Sequence, residues 1–128
     1  MSDKLSIEEL DGERWPEPAR DAPREIAVLH ALRRKPVRKL TAGDLRLLLL
    51  RDVGVEHVLP RAVDLLRVDP LVNGGHYDGD LLFAVVTRDH AVWTRLPEIA
   101  AVLRTVVTEA GLPARLHDDV DAFLDATR

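Results

Sequence analysis

The sequence predicts an all-α protein, a compact bundle of six or seven helices with an extended N-terminal arm. Apolar residues recur at helical spacing along most of the chain, and the last predicted helix carries them at Leu116, Val120, Phe123 and Leu124. Prolines and glycines stand where such segments begin and end. No Asn-Gly or Asp-Gly pair lies between two runs of alternating polarity, which a tight β-hairpin would require. These observations favour helices joined by short links over a sheet.

Length and composition predict one soluble domain, residues 1–128. Hydrophobic residues make up 46% and charged residues 31%, a balance typical of folded proteins, while aromatics at 4% leave the core to Leu, Val and Ala. Cysteine is absent, which excludes disulfides and thiolate metal ligands and suits a reducing cytoplasm. Residues 1–9 lack the apolar core of a signal peptide, and no apolar run approaches the ~20 residues that span a bilayer. We therefore expect a cytoplasmic protein that does not engage a membrane.

Residues 1–22 are predicted to form an N-terminal arm that packs on the bundle. Ser6 and Glu9 have the spacing of a capping box, which predicts one short helical turn that stops at Gly12. The stretch 12–23 then holds three prolines and one large aromatic residue, Trp15, and is predicted to be extended. Because an exposed Trp ring is costly, we expect Trp15 to be buried against the bundle.

The first two long helices are delimited by proline and by cap residues. The first is predicted over residues 23–34, because the residue before Pro36 is disfavoured in the helical region. Thr41, with Asp44 three residues later, is predicted to cap the second helix. Gly54 is predicted to follow its end in a left-handed conformation.

The later helices are predicted from the same signals. The third is expected to begin near Val58 or Leu59, with Pro60 in its first turn, and to stop before Pro70. The remaining segments are predicted at residues 79–87, 90–95, 97–110 and from 113 onward.

A glycine-rich loop, residues 71–79, contains the best candidate for a metal site. His76, Asp78 and Asp80 lie within five residues and could ligate a cation through imidazole and oxygen. An EF-hand loop starting at Asp78 fails, since its fifth position is Leu82. We favour the alternative that Asp78 or Asp80 caps the following helix and that the glycines supply positive φ angles, with no metal or other cofactor bound.

The residue types that catalysis needs are not arranged for it. Ser2 and Ser6 are the only serines, and both lie where no rigid scaffold would hold a nucleophile. The five histidines form no close pair on one helix face and stand at positions 30, 57, 76, 90 and 117. We therefore expect a protein that is not an enzyme.

Five bases lie within the basic segment, residues 33–39, namely Arg33, Arg34, Lys35, Arg38 and Lys39. Clustered bases can bind phosphates, so a nucleic-acid surface is one interpretation. The net charge of −4 and the lack of a nearby aromatic or base-reading helix count against it. A solvated helix end, whose cations complement the helix dipole, is the interpretation we prefer.

The second half of the chain is acidic. Residues 61–128 carry seven arginines against eleven acids, which favours a basic protein partner over a nucleic acid. Asp118, Asp119 and Asp121 lie opposite the apolar stripe of the last helix, where most such faces are merely solvated. Together with Asp78 in the glycine-rich loop, they are our candidate partner-binding residues, since carboxylates can occupy the sites where a nuclease binds phosphates.

Several short motifs also follow one another in a recognisable order. They are Leu5 to Gly12 with Trp15-Pro16; His30 to Pro36; Leu40-Thr41 with Asp44-Leu45; Leu59-Pro60 with Asp69-Pro70; Gly75-x-Tyr77-x-Gly79-Asp80-Leu81-Leu82; and Trp93. This series resembles the bacterial immunity proteins of contact-dependent growth inhibition (CDI) systems, over roughly residues 5–100. The sequence departs from the family pattern at Arg51-Asp52, where a Gly/Gln-type helix end is expected, and at Asp78, where Pro is usual.

The resemblance implies a function that composition alone does not give. A CDI immunity protein binds one cognate toxin domain in the cytoplasm and blocks it, without catalysis. We therefore expect the chain to be a monomer that forms a one-to-one complex with a toxin C-terminal domain, a nuclease being one candidate. A small helical nucleic-acid-binding or regulatory protein that uses residues 33–39 is the alternative.

Overall fold

The structure, a computed structural model, describes residues 4–128 and has seven α-helices within that range. These are α1 (Ile7–Asp11), α2 (Arg24–Arg34), α3 (Ala42–Leu50), α4 (Val55–Val68), α5 (Asp80–Val86), α6 (Pro97–Glu109) and α7 (His117–Ala126). Short 3₁₀ turns at Val37–Lys39, His90–Thr94 and Ala114–Leu116 join them. The described residues contain two isolated β-bridges but no β-strand, so the predicted all-α fold is confirmed. Residues 1–3 of the predicted arm, and with them Ser2, lie outside the described range.

The core is aliphatic, as the composition predicts. Helix α3 packs against α4 and α5, while α6 packs on α4 and α7 on α5. The fully buried side chains at these contacts are mostly leucines and valines. One aromatic pair joins the 3₁₀ turn before α6 to α7, with the rings of Trp93 and Phe123 edge to face at 5.2 Å. None of the helices described is long and apolar enough to cross a bilayer.

The predicted N-caps Ser6 and Thr41 are both present, and each forms a capping box. The Ser6 hydroxyl accepts the N–H of Glu9 at 3.1 Å, and the Glu9 carboxylate accepts the N–H of Ser6 at 3.0 Å. Thr41 and Asp44 exchange the same pair of bonds at the start of α3. Each box satisfies two backbone donors that a helix N-terminus would otherwise leave unpaired.

The boundary between α3 and α4 differs from the prediction. Asp52, rather than Gly54, follows the end of α3 in the left-handed region, with φ of 56°, and Val53 N–H donates to the Leu48 carbonyl at 2.9 Å. Gly54, with φ of 61°, is instead the N-cap of α4. The helix therefore begins three residues before Val58, and Pro60 lies inside it rather than in its first turn.

The last helix also begins later than predicted. Pro113 does not open it; residues 114–116 form a 3₁₀ turn, closed by a 3.0 Å bond from Leu116 N–H to the Pro113 carbonyl. The turn places Leu116 in the core at 1% exposure. Helix α7 follows from His117 with Val120 and Phe123 buried.

The N-terminal arm is held by a buried arginine. Arg33 is only 2% exposed, and its Nη2 donates to Asp11 Oδ2 at 3.3 Å and to the Glu13 carbonyl at 3.0 Å. Its guanidinium lies 4.2 Å from the centre of the Trp15 ring, whose edge contacts His30. Trp15 therefore docks on the bundle, but its ring is only partly buried.

Gly12 and Gly54 both have positive φ, and substituting each with alanine separates the effect of packing on stability from the effect of backbone strain. Alanine at Gly12 or Gly54 meets a left-handed backbone, which costs about 1–2 kcal/mol. At Gly54 the added Cβ would also lie 2.7 Å from Ile7 Cγ2, whereas at Gly12 it meets no atom within 4 Å. We expect Gly12→Ala to lower the free energy of unfolding by ~1 kcal/mol and Gly54→Ala by about 2–4 kcal/mol. Urea unfolding measures both, and equal losses would contradict the packing of α1 on Gly54.

Candidate functional site

The Asp80 carboxylate organises the glycine-rich loop. It is fully buried, and its Oδ1 accepts the N–H of Gly74 at 2.5 Å. Its Oδ2 accepts the N–H groups of His76 at 3.0 Å and Tyr77 at 3.4 Å, and lies 3.7 Å from Arg46 Nε. A buried carboxylate is stable only with such partners, so these bonds fix the loop in one conformation.

Asp80 does not cap the helix that follows, as one of our interpretations supposed. It is the first residue of α5, and the N-cap is Gly79, with φ of 92° and no side-chain cap bond. The carboxylate reaches back to the loop because three loop N–H groups point at it. The prediction that glycines supply positive φ angles is confirmed at Gly75 and Gly79. At Gly74 a Cβ would lie 2.9 Å from Asp80 Oδ1, so the close approach also requires glycine.

The three residues of the metal hypothesis do not converge on one point. Both Asp80 oxygens are engaged by the loop backbone, and His76 is exposed with its Nδ1 3.9 Å from Asp80 Oδ2. Asp78 instead accepts a 3.2 Å hydrogen bond from Asn73 Nδ2. No group of three His, Cys, Asp or Glu residues within 4–128 is placed to hold a metal ion.

The outer edge of the loop joins the start of α7. Arg115 lies with its guanidinium 5.5 Å from the centre of the Tyr77 ring and donates a hydrogen bond to the Asp78 carbonyl. Beneath them, a Cβ built on Gly79 would lie 3.1 Å from Leu116 Cδ1. The loop and the N-terminal end of α7 therefore form one continuous surface.

The candidate acids on α7 are available to a partner. Asp118 and Asp121 are exposed three residues apart on the outer face of the helix, and Asp119 is partly buried beside them. Within residues 4–128 none of the three makes an ion pair or a side-chain hydrogen bond, whereas Asp125 pairs with Arg128. Asp78 is also exposed. It lies at the same end of the molecule as the start of α7, since Arg115 donates a hydrogen bond to its carbonyl. The structure thus brings Asp78 next to the turn that leads into α7.

The chain was compared with models of known protein families. A family model described as CDI immunity proteins matches residues 9–103. The chain belongs to this family. A comparison with curated proteins found no match. The family match runs through the glycine-rich loop and ends inside α6, so Arg115 and the acids of α7 lie beyond it.

In this family member, the basic segment is not a free cationic patch. Arg33 is buried under the arm, which contradicts its expected place at a solvated helix end. Arg34 pairs with Glu17 at 2.9 Å and Lys35 with Asp44 at 3.2 Å. The hydrogen bond from Arg34 also holds the pKa of the Glu17 carboxyl below its usual value. Arg38 and Lys39 remain exposed on the 3₁₀ turn.

A polar groove of about 430 Å³ between the start of α4 and the His90–Thr94 turn was not foreseen from the sequence. Its charged groups pair with one another: His57 Nε2 lies 2.8 Å from Asp11 Oδ1, Arg88 Nη1 lies 3.3 Å from Asp52 Oδ1, and Arg95 pairs with Glu56. These pairs join residues 36 to 46 positions apart in sequence, so no local pattern indicates them. Asp89, which also lines the groove, accepts the N–H of Ala91 instead. The charged groups are therefore engaged separately rather than arranged around one reacting group.

Tyr77 and Arg115 are two residues that the sequence does not mark as part of a binding surface. Tyr77 belongs to the motif Gly75-x-Tyr77-x-Gly79, and it is 39% exposed. Its contact with Arg115 joins two segments that lie far apart in sequence. No periodicity or spacing in either segment indicates that contact.

The role of Asp80 can be tested by removing its carboxylate. Asp80→Ala leaves three loop N–H groups and Arg46 without their acceptor, so we expect the free energy of unfolding to fall by about 3 kcal/mol or more. Asp80→Asn keeps one acceptor oxygen and is expected to cost less. Asp78→Ala removes a single exposed hydrogen bond and is the control, with an expected loss of ~0.5 kcal/mol. Urea unfolding of the three variants measures these losses; a loss for Asp80→Ala as small as that of the control would contradict the account.

Proposed function

We propose that this chain binds and neutralises one cognate CDI toxin domain in the cytoplasm, as a single domain and without catalysis or a cofactor. The observation that carries the proposal is the family match over residues 9–103. Most charged groups of the polar groove pair with one another, and His76, Asp78 and Asp80 do not converge on one point. Both features are consistent with a binding protein. A monomer in a one-to-one complex is the simplest assembly for blocking one active site.

We propose further that the toxin contacts the acidic surface formed by Asp78, Asp118, Asp119 and Asp121. The carboxylates of the three α7 residues are already free of internal partners, so a toxin cation can pair with them without breaking a bond. A toxin that cleaves nucleic acid has a basic cleft, and an acidic inhibitor would be steered to it and occupy its phosphate sites. A nuclease is therefore the toxin class that this surface fits best.

Neutralisation requires tight binding. We expect a dissociation constant in or below the nanomolar range, which corresponds to about −12 kcal/mol. An interface of that strength usually covers about 800 Å² of each partner, more than four carboxylates alone supply. The acids would thus account mainly for the rate of association, and neighbouring residues for the lifetime of the complex.

The most direct test uses the cognate toxin domain, to be sought in the reading frame next to the gene for this chain. We expect the purified chain to retain that domain in a pull-down at one-to-one stoichiometry and to rescue cells that express it. Retention of DNA that weakens with salt, without toxin binding, would instead favour the nucleic-acid alternative. Among the bases of that alternative, Arg33 is buried and Arg34 and Lys35 are paired, so the structure offers it little support.

Charge reversal tests the acidic surface. We expect the triple variant Asp118→Lys, Asp119→Lys, Asp121→Lys to associate with the toxin domain about 10-fold more slowly or worse, because long-range attraction becomes repulsion. We also expect its association rate to lose most of its dependence on salt. Stopped-flow or biosensor kinetics at several salt concentrations measure both effects.

A matched triple variant controls for net charge. Glu13, Asp21 and Glu98 are exposed, and their side chains make no ion pair or hydrogen bond within the described residues. Reversing all three changes the net charge equally, so we expect a much smaller effect on association. Equal slowing by both triples, or none by the first, would place the contact elsewhere, with residues 33–39 the next to be examined.

A further inference from the structure

Tyr77 stands out as an exposed aromatic residue in a chain that has few. Of the five Phe, Trp and Tyr residues, it alone is exposed; the other four are buried or partly buried. Its hydroxyl makes no hydrogen bond within residues 4–128, and one side of its ring lies near the Arg115 guanidinium. We propose that Tyr77, supported by Arg115, is the anchor of the toxin interface. The inference rests on the proposed function and adds to it the residue that holds the complex together.

The ring is presented on a backbone that cannot easily rearrange. The Tyr77 N–H and those of Gly74 and His76 all donate to the buried Asp80 carboxylate. Arg115 ties the next residue, Asp78, to the turn before α7. A side chain on a fixed loop loses little conformational freedom when it binds, so more of its burial energy becomes affinity.

The neighbourhood of Tyr77 has the composition of an interface centre. Tyr and Arg are enriched among residues that dominate binding energy, and such residues are usually surrounded by polar groups that exclude water. Here the exposed residue Asp78 directly follows Tyr77 in the loop, and the acids of α7 follow Arg115 along the chain. The aromatic centre and the acidic rim therefore belong to the same surface.

This chemistry specifies what the toxin must present. An aromatic ring flanked by carboxylates is matched by an apolar-walled pocket that carries Lys or Arg side chains at its edge. Such a cation can contact the ring face and pair with Asp78 at the same time. The occupant of this surface is therefore the toxin domain itself, through a basic cleft into which the tyrosine inserts.

Truncation of the ring tests the proposal. We expect Tyr77→Ala to raise the dissociation constant for the toxin domain about 30-fold or more, mainly through faster dissociation. Tyr77→Phe keeps the ring and is expected to stay within ~10-fold of the unchanged chain. Biosensor kinetics with the purified toxin domain measure both rates, and thermal unfolding of each variant shows whether it is folded at the assay temperature.

Ile26→Ala is the matched control. Ile26 is 38% exposed, much like Tyr77, but lies on α2, whose Glu25 pairs with Arg51 just beyond the C-terminal end of α3. The glycine-rich loop contacts the opposite end of that helix, at Ala42 and Gly43. We expect Ile26→Ala to change the dissociation constant less than about twofold.

The outcomes separate this inference from the proposed function. If the unchanged chain binds the toxin tightly and Tyr77→Ala alters the dissociation constant less than threefold, Tyr77 is not the anchor, although the chain still acts as an immunity protein. A loss no greater than that of Ile26→Ala, or a change in self-association that accounts for the loss, also overturns the inference. If the unchanged chain does not bind the toxin at all, the proposed function itself fails.

Discussion

The buried carboxylate of Asp80 holds together the part of the molecule on which the account of function depends. Three loop N–H groups and Arg46 converge on it, and they offset the cost of removing a charge from water. The close approach at Gly74 leaves no room for a side chain. With the loop fixed in this way, Arg115 can bind its outer edge and align it with α7.

A second constraint holds the N-terminal arm on the bundle. The guanidinium of Arg33 is buried where an apolar residue would be expected. It donates hydrogen bonds to Asp11 and to the Glu13 carbonyl, and it lies over the Trp15 ring. An extended arm with few apolar residues can dock because one buried cation binds its backbone, its acid and its aromatic ring together. The same arrangement removes Arg33 from the surface and leaves the acidic face as the more exposed charged feature.

The elements that sequence predicted well are those determined by neighbouring residues. The capping boxes at Ser6 and Thr41 depend on side chains three positions apart, and both are present. The helix boundary near Gly54 was misplaced, because Asp52 takes the left-handed conformation usually assigned to glycine. Arg33, Asp80 and the Tyr77–Arg115 contact could not be predicted, since tertiary packing decides whether a charge is buried or an aromatic ring exposed.

The central claim is that the glycine-rich loop and the start of α7 form one toxin-binding surface. Amide hydrogen exchange, measured on this chain with and without the cognate toxin domain, tests it without any substitution. The account predicts slower exchange in the complex at residues 73–79 and 115–121, and unchanged exchange at residues 34–39. Protection confined to residues 34–39, with the loop and α7 unaffected, would contradict it.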